Sequence, residues 1–171
     1  MSARGTDDRP MSPGGVDVIV VAAGASQRMG GADKLSEMVD GRPLLGHTLA
    51  ALARSALVES IVVVSAPERR EAVSHADWLP TTVRAVVDGG ASRQESVRRG
   101  FEALEAAVPN PDGDRITLVH DGARPLVSTR LVAAVAASAA SDVYKRQVDV
   151  SVTRVLQTVA GRMIFAQPRL D

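Results

Sequence analysis

The sequence predicts an α/β fold: a doubly wound, mostly parallel, Rossmann-like sheet with helices on both faces. Two continuous apolar runs, Val18–Val21 and Ile61–Val64, and one run interrupted only by Thr117, Ile116–Val119, have the composition of strands buried on both faces. Stretches of helical length separate these runs, and strands that alternate with helices build parallel sheets. Hydrophobic residues make up 45% of the 171 residues but aromatic residues only 2%, so Val, Leu, Ile and Ala must fill the core.

The first half of the chain predicts strands and helices in alternation. A strand over Asp17–Ala22 is followed, after a loop, by a short strand and turn over Met38–Pro43. A helix over Pro43–Ser55 comes next, because proline suits the first helical position, where no N–H is needed. A second buried strand, Ile61–Val64, leads into a polar helix, Glu68–Ala76.

The second half repeats the alternation, and one of its helices begins with a recognisable cap. The motif Ser92-x-x-Glu95 has the form of a capping box, in which side chains satisfy the free N–H groups of the first turn. The predicted elements are strands Val83–Val87 and Ile116–His120, a helix from Ser92 to Ala107, and a last helix from Ser128 or Thr129 to Ala140.

The chain is expected to have three parts: a disordered polar lead-in over residues 1–15, one domain over 16–140, and an atypical segment over 141–171. The 20 Lys and Arg residues balance the 20 Asp and Glu residues, which argues against a broad surface for nucleic acid or an anionic membrane. Cysteine is absent, which excludes disulfides and thiolate chemistry. No apolar run approaches the roughly 20 residues of a membrane span, and no signal peptide core is visible, so we expect a cytoplasmic protein.

The loop after the first strand is the strongest candidate for a ligand site. Residues 23–34 combine three glycines with two cations, Arg28 and Lys34. A glycine-rich cationic loop after a buried strand suits a polyphosphate, because its backbone N–H groups can approach the ligand closely. The loop matches neither common phosphate fingerprint, and an exposed turn with two solvated cations is the alternative.

Two further loops are expected at the same edge of the sheet, Asp88–Ser96 and Asp121–Pro125, because parallel strands end on one side. Asp121 is placed to hold Mg²⁺ against nucleotide phosphates, since Mg²⁺ usually takes one or two carboxylates and fills its shell with phosphate and water. The alternative is a loop carboxylate that accepts hydrogen bonds from its own backbone. His120 is more simply a packed residue than a metal ligand or a base.

The Gly89-Gly90 turn offers partners that could recognise the edge of a base. Ser92 and Ser96 add hydroxyl groups to its backbone, although Ser92 also serves as the predicted helix cap. Arg93 and Arg124 are candidate phosphate ligands, with a solvated surface position as the equal alternative.

Three motifs resemble the cytidylyltransferases that act on 2-C-methyl-D-erythritol 4-phosphate in the non-mevalonate isoprenoid pathway. Ala22–Gly30 with Lys34 resembles the nucleotide loop of this family, and Asp88–Val97 resembles its base-reading turn. His120–Pro125 resembles its metal and substrate loop. The first motif is shared by many sugar-phosphate nucleotidyltransferases, whereas the third, in this register, is much more specific. Together they cover roughly residues 16–140, and they imply a Rossmann-like nucleotidyltransferase domain.

The resemblance implies that the acceptor phosphate attacks CTP and releases pyrophosphate. Arg28 and Lys34 would stabilise the pentacoordinate α-phosphorus, Asp121 would hold Mg²⁺, and Arg124 would face the methylerythritol phosphate. Ala91 departs from family members that carry an acidic residue there, which leaves a backbone contact only. The residues implied at the nucleotide are Ala22, Ala23, Gly24, Gly90 and Ser96 around the cytosine, with Arg93 as a candidate phosphate ligand.

The family pattern is interrupted after Ala140. The family continues with another strand and a protruding arm that is exchanged between two subunits, whereas Ser141–Gln147 matches none of this. Val148, Val150 and Val152 alternate like a strand of the arm, so residues 141–171 are a possible remnant of it. A homodimer is expected if the arm is intact, and this part of the chain looks like an incomplete copy.

Other functions stay open. A ribitol 5-phosphate cytidylyltransferase shares these motifs, and the arm would largely choose the acceptor. A non-catalytic nucleotide-binding fragment would keep Gly24, Gly90 and Ser96 without a working substrate half. A nicotinamide-dependent reductase is the weakest alternative, because the sequence has no glycine fingerprint for that cofactor.

Overall fold

A computed structural model describes residues 15–24, 33–108, 115–141, 150–158 and 161–168. Its centre is a four-stranded parallel sheet in the order β5-β4-β1-β6. This confirms the predicted α/β class and the parallel sheet. The strands are β1 (Val16–Ala22), β2 (Met38–Val39), β3 (Arg42–Pro43), β4 (Val58–Ser65), β5 (Val83–Asp88), β6 (Ile116–Asp121), β7 (Val150–Thr158) and β8 (Gly161–Pro168).

Four helices connect or follow these strands. All four begin and end within a few residues of the prediction, and Ser128 Oγ accepts the Leu131 N–H at 3.1 Å to cap the last of them. Pro43 is a correction: it lies in β3 and occupies the N-cap of the first helix rather than its first turn, because its extended backbone pairs with Met38. The helices are α1 (Leu44–Ala53), α2 (Pro67–Ser74), α3 (Arg93–Ala107) and α4 (Thr129–Ser141).

The core lies on both faces of the sheet, because alternate residues of β1 point to opposite sides. On one face, Val18 and Val20 join a buried cluster with Leu49 of α1. On the other face, Ile19 packs in a second cluster with Val97 of α3. All seven residues of β1 are buried. Helices therefore cover both faces, which confirms the doubly wound arrangement.

A charged cluster lies at the start of the central strands. Arg115 Nη2 donates to Asp17 Oδ1 at 2.7 Å and to Glu59 Oε2 at 2.9 Å. Asp17 is buried, and this burial raises the pKa of its carboxyl group, while Arg115 partly offsets the rise. The cluster joins β1, β4 and the start of β6 at the edge opposite the predicted loops.

Two antiparallel hairpins lie outside the parallel sheet. β2 and β3 join through Asp40 and Gly41, whose φ angles are 45° and 76°, as a two-residue hairpin turn requires. β7 and β8 pair antiparallel from Val150–Pro168 to Thr158–Gly161. Val150 and Val152 therefore lie in a strand as predicted, whereas Val148 lies outside the described residues. Within the described ranges, no helix has the length and apolar character needed to cross a membrane.

Candidate active site

The loops after β5 and β6 meet the start of the loop after β1, Ala23 and Gly24, at the carboxyl edge of the sheet, and residues 25–32 of that loop lie outside the described residues. The Gly89 N–H donates to the Ser65 carbonyl at 2.7 Å, and the Gly122 N–H donates to the Val21 carbonyl at 2.9 Å. A Cβ atom added to Gly89 would lie 2.1 Å from Ala23 Cβ, and one added to Gly122 would lie 3.1 Å from Ala22 Cβ. These glycines let the loops after β5 and β6 close against the end of β1. The expected convergence is confirmed.

The turn after β5 is held by a connected set of hydrogen bonds. Ser92 Oγ accepts the Glu95 N–H at 3.0 Å, and Glu95 Oε2 accepts the Ala91 N–H at 2.9 Å. This is the predicted capping box, with its return bond directed to Ala91 rather than to Ser92. Ser96 Oγ is buried, accepts the Gly90 N–H at 3.0 Å and donates to the Ser92 carbonyl at 2.9 Å. The Gly90 amide and the Ser96 hydroxyl proton therefore order the turn itself.

Arg99 ties this turn to α3. Its guanidinium donates to the Gly89 carbonyl at 2.9 Å and to Glu95 Oε1 at 2.7 Å. The Ala91 N–H and Arg99 together lower the pKa of Glu95, because both stabilise its ionised form. Arg93, by contrast, is exposed at the first position of the same helix.

The loop after β6 contains a carboxylate and a cation at its surface. Asp121 ends β6, and its Oδ1 accepts the Ala123 N–H at 3.0 Å, as the backbone-capping alternative expects. Its Oδ2 lies 3.9 Å from Arg124 Nε, and the Arg124 side chain is 64% exposed. Thr48 Oγ1 of α1 donates to the Gly122 carbonyl at 2.7 Å and so fixes this loop to α1.

The donor set at this edge fits Mg²⁺ only together with a polyphosphate. In the part of the chain that the structure describes, no three His, Asp or Glu side chains form a group that could hold a metal ion alone. Asp121 can supply a carboxylate oxygen, and Mg²⁺ in nucleotide sites takes its remaining ligands from phosphate and water.

His120 is packed into the sheet as expected. Burial lowers its pKa, and the neighbouring Asp121 carboxylate opposes this effect. Its Nδ1 is buried without a hydrogen-bond partner among the described residues, so the expected hydrogen bond is not seen at this atom. A neutral imidazole that is largely buried against the sheet suits packing better than proton transfer.

The two predicted catalytic cations differ in how far the structure describes them. Arg28 lies outside the described residues. Lys34 is half-buried and begins a single 3-10 turn, Lys34–Ser36, which Asp33 caps by accepting the Leu35 N–H at 3.3 Å. Gly24, the last described residue before the gap, is exposed.

Two arginines of α2 contact the loops and were not singled out in the sequence. Arg69 donates to the Ala22 carbonyl at 2.7 Å and forms an ion pair with Asp33. Arg70 Nε lies 3.1 Å from Asp88 Oδ1, at the start of the Gly89-Gly90 turn. The only available signal was their position just after Pro67, where a strand ends at the ligand edge.

The chain was matched to one family along most of its length. Residues 16–167 match the family model described as IspD: 2-C-methyl-D-erythritol 4-phosphate cytidylyltransferase. The bifunctional enzyme IspD/IspF of Rhodospirillum rubrum is 40% identical over 126 residues, which are 73% of this chain and 32% of that relative. The 2-C-methyl-D-erythritol 4-phosphate cytidylyltransferase of Syntrophotalea carbinolica is 38% identical over 160 residues, 90% of this chain and 65% of that relative.

The fold agrees with these matches. The crystal structure of 4-diphosphocytidyl-2C-methyl-D-erythritol synthase from Anaerococcus prevotii has a TM-score of 0.56 at 22% identity, covering 91% of this chain and 63% of that one. This likeness concerns the fold. The chain spans 32% to 65% of the length of the two relatives described above. Because the family model matches from the first residue of β1 almost to the end of β8, the chain belongs to the 2-C-methyl-D-erythritol 4-phosphate cytidylyltransferase family.

Proposed function

We propose that this chain transfers CMP from CTP to 2-C-methyl-D-erythritol 4-phosphate and releases pyrophosphate. The observation that supports this most is the close approach of the loops after β5 and β6 to Ala22 and Ala23 at the end of β1, which brings described parts of the three family-like motifs to one sheet edge. In the reaction, a phosphate oxygen of the acceptor forms a bond to the α-phosphorus of CTP. The bond from that phosphorus to the oxygen bridging to the β-phosphate breaks, and pyrophosphate leaves.

Arg28 and Lys34 are the proposed catalytic cations. Nucleotidyl transfer needs mainly alignment of the reacting oxygens and stabilisation of the charge that builds on the phosphorus. Lys34 suits this role because its half-buried position limits how far water can screen its charge.

The proposed cytosine site lies between the end of β1 and the turn after β5. Its residues would be Ala22, Ala23 and Gly24 on one side, with Gly90 and Ser96 on the other. The hydrogen bonds within this turn support the proposal, because a turn that is already ordered loses little entropy when it binds a base. Arg93 is exposed beside this turn and is proposed as a phosphate contact.

Asp121 and Arg124 are proposed to serve the metal and the acceptor. Asp121 would hold Mg²⁺ through its carboxylate, and Mg²⁺, when bound, supplies positive charge to the triphosphate oxygens. Arg124 is free to reach outward, since its side chain is largely exposed and 3.9 Å from Asp121. It would bind the phosphate of the acceptor and orient it toward the α-phosphorus.

The substrates and a partner subunit complete the proposed function. We infer a cytoplasmic enzyme that acts on CTP and a polyol phosphate, and a homodimer formed through the hairpin β7–β8 if this hairpin serves as the exchanged arm. CTP binding without turnover is the alternative function, because the ordered turn after β5 belongs to the proposed nucleotide half of the site.

The test is pyrophosphate release from CTP, Mg²⁺ and 2-C-methyl-D-erythritol 4-phosphate, with ribitol 5-phosphate as a parallel acceptor. We expect Arg28→Ala to lower the rate by about 100-fold or more, as loss of one transition-state charge contact does. Arg98→Ala is the matched control, because Arg98 is an exposed arginine of α3 that pairs only with the surface residue Glu102 among the contacts described. Its rate should equal that of the wild type.

Each outcome separates the candidates. Pyrophosphate release with methylerythritol phosphate and not with ribitol 5-phosphate supports the proposed transferase. Faster release with ribitol 5-phosphate would show that ribitol 5-phosphate is the acceptor instead. CTP binding without release supports the nucleotide-binding alternative. A folded chain that does not bind CTP would refute the proposed function.

A further inference from the structure

Arg69 contacts the two described ends of the nucleotide loop at once. It lies on α2, and its guanidinium donates to the carbonyl of Ala22, the last residue of β1. The same guanidinium pairs with Asp33, where the description resumes after the loop. These partners are 47 and 36 residues away in the sequence, and the Arg69 side chain is only 20% exposed. One side chain therefore sets the distance between the two loop ends.

Asp33, which Arg69 holds, also orders the turn that contains Lys34. Its Oδ1 accepts the Leu35 N–H, its Oδ2 accepts the Ser36 hydroxyl, and its carbonyl accepts the Ser36 N–H at 3.0 Å. These bonds build the 3-10 turn in which Lys34 is the first residue. Although burial acts to raise it, hydrogen bonds from Ser36 and Arg69 lower the pKa of Asp33, so this carboxylate stays ionised at neutral pH.

A tether fits Arg69 better than a direct phosphate contact. Its charge is already neutralised by Asp33, and a second donor of the guanidinium is used by the Ala22 carbonyl. The planar fork of arginine can hold a carboxylate and a carbonyl in fixed relative positions, whereas the ammonium of lysine acts as a point charge.

We propose that Arg69 is a positioning residue that holds Lys34 at a fixed place relative to the end of β1. The proposal rests on the proposed function in one respect, namely that Lys34 faces the nucleotide phosphates. Arg69 touches neither CTP nor the acceptor in this scheme, and it acts through Asp33.

The first test measures amide hydrogen exchange at Leu35 and Ser36 and needs no ligand. In Arg69→Ala we expect these amides to exchange about 10-fold faster, since loss of a charge-assisted bond of roughly 1.4 kcal/mol corresponds to that factor. Arg98→Ala, which removes the same side chain from an exposed pair on α3, should leave both rates unchanged. Unchanged exchange in a folded Arg69→Ala chain would overturn the proposal.

The second test measures CTP dissociation constants in a double-mutant cycle of Arg69→Ala and Lys34→Ala. If Arg69 acts through Lys34, the two effects are not additive, and the loss caused by Lys34→Ala shrinks about 3-fold or more when Arg69 is already absent. Arg69→Lys should recover part of the affinity, because its ammonium can pair with Asp33 but lacks the planar fork that fixes Asp33 and the Ala22 carbonyl relative to each other. If the losses of CTP affinity caused by the two substitutions are fully additive, Arg69 does not act through Lys34 and the proposal is overturned.

The two tests distinguish failure of this proposal from failure of the proposed function. A wild-type chain that does not bind CTP refutes the nucleotide site, while the exchange rates at Leu35 and Ser36 still decide whether Arg69 orders the turn. If Arg69→Ala fails to fold, Arg69→Lys and Asp33→Asn provide the same comparison, and unaltered exchange in both would overturn the tether.

Discussion

Gly89→Ala is predicted to separate the turn after β5 from the end of β1 at the proposed nucleotide site. The added Cβ would lie 2.1 Å from Ala23 Cβ, 3.1 Å from Ser96 Oγ and 3.4 Å from the Ser65 carbonyl oxygen. Carbon atoms in contact need about 3.5–4.0 Å, so the end of β1 must move away by roughly 1.5 Å. The bonds of Gly89 to Ser65 and to Arg99, at 2.7 and 2.9 Å, oppose this movement.

We expect Gly89→Ala to lower the free energy of unfolding by about 2 kcal/mol, within the usual range for overpacking. For a chain of this size that corresponds to a decrease in Tm of about 4–8 °C. Urea unfolding followed by circular dichroism measures the effect, provided that the dependence of the unfolding free energy on urea concentration is the same in both proteins. Gly24→Ala is the matched control for stability, because no described atom lies within 4 Å of its added Cβ. A Gly89→Ala chain within about 0.5 kcal/mol of the wild type would refute the close approach of the loops.

Three further predictions concern stability. Although burial opposes the effect, hydrogen bonds lower the pKa of Asp33. Its ionised carboxylate therefore stabilises the fold above the ordinary pKa of 3.8, and this stabilisation is lost as the pH falls through the lowered pKa. Asp33→Asn should therefore weaken the fall of the unfolding free energy at acid pH, measured in a pH series. Burial raises the pKa of Asp17 more than Arg115 lowers it, so the folded state holds this proton more tightly than the unfolded chain. The stabilisation of the fold by the proton on Asp17 is therefore complete below pH 3.8 and declines as the pH rises through the raised pKa. Asp17→Asn should remove this decline from the unfolding free energies measured in the same pH series. Thr48→Val leaves the Gly122 carbonyl without its 2.7 Å donor and should cost about 1–3 kcal/mol in urea unfolding; no change would contradict the role of this buried bond.

The strands and the meeting of the loops were predictable because their signals are local. Apolar runs such as Ile61–Val64 mark buried strands, and parallel strands share one carboxyl edge. The capping box of Ser92 and Glu95 was also visible in four consecutive residues. The contacts of Arg69 were not predictable, because pairing across 36 and 47 residues leaves no pattern in the neighbouring sequence. The same holds for the close approach of Gly89 to Ala23, which depends on the strand order.

The position of β1 also affects how the chain folds. β1 precedes the other described strands along the chain, yet it lies inside the sheet between β4 and β6. Its ion pair from Asp17 to Arg115 joins residues 98 positions apart. Native pairing along its second edge therefore waits until β6 has been made, and an apolar strand with an open edge can pair wrongly in the meantime. The strand that leads into the proposed nucleotide loop is thus exposed to mispairing for as long as the chain between β1 and β6 is being made.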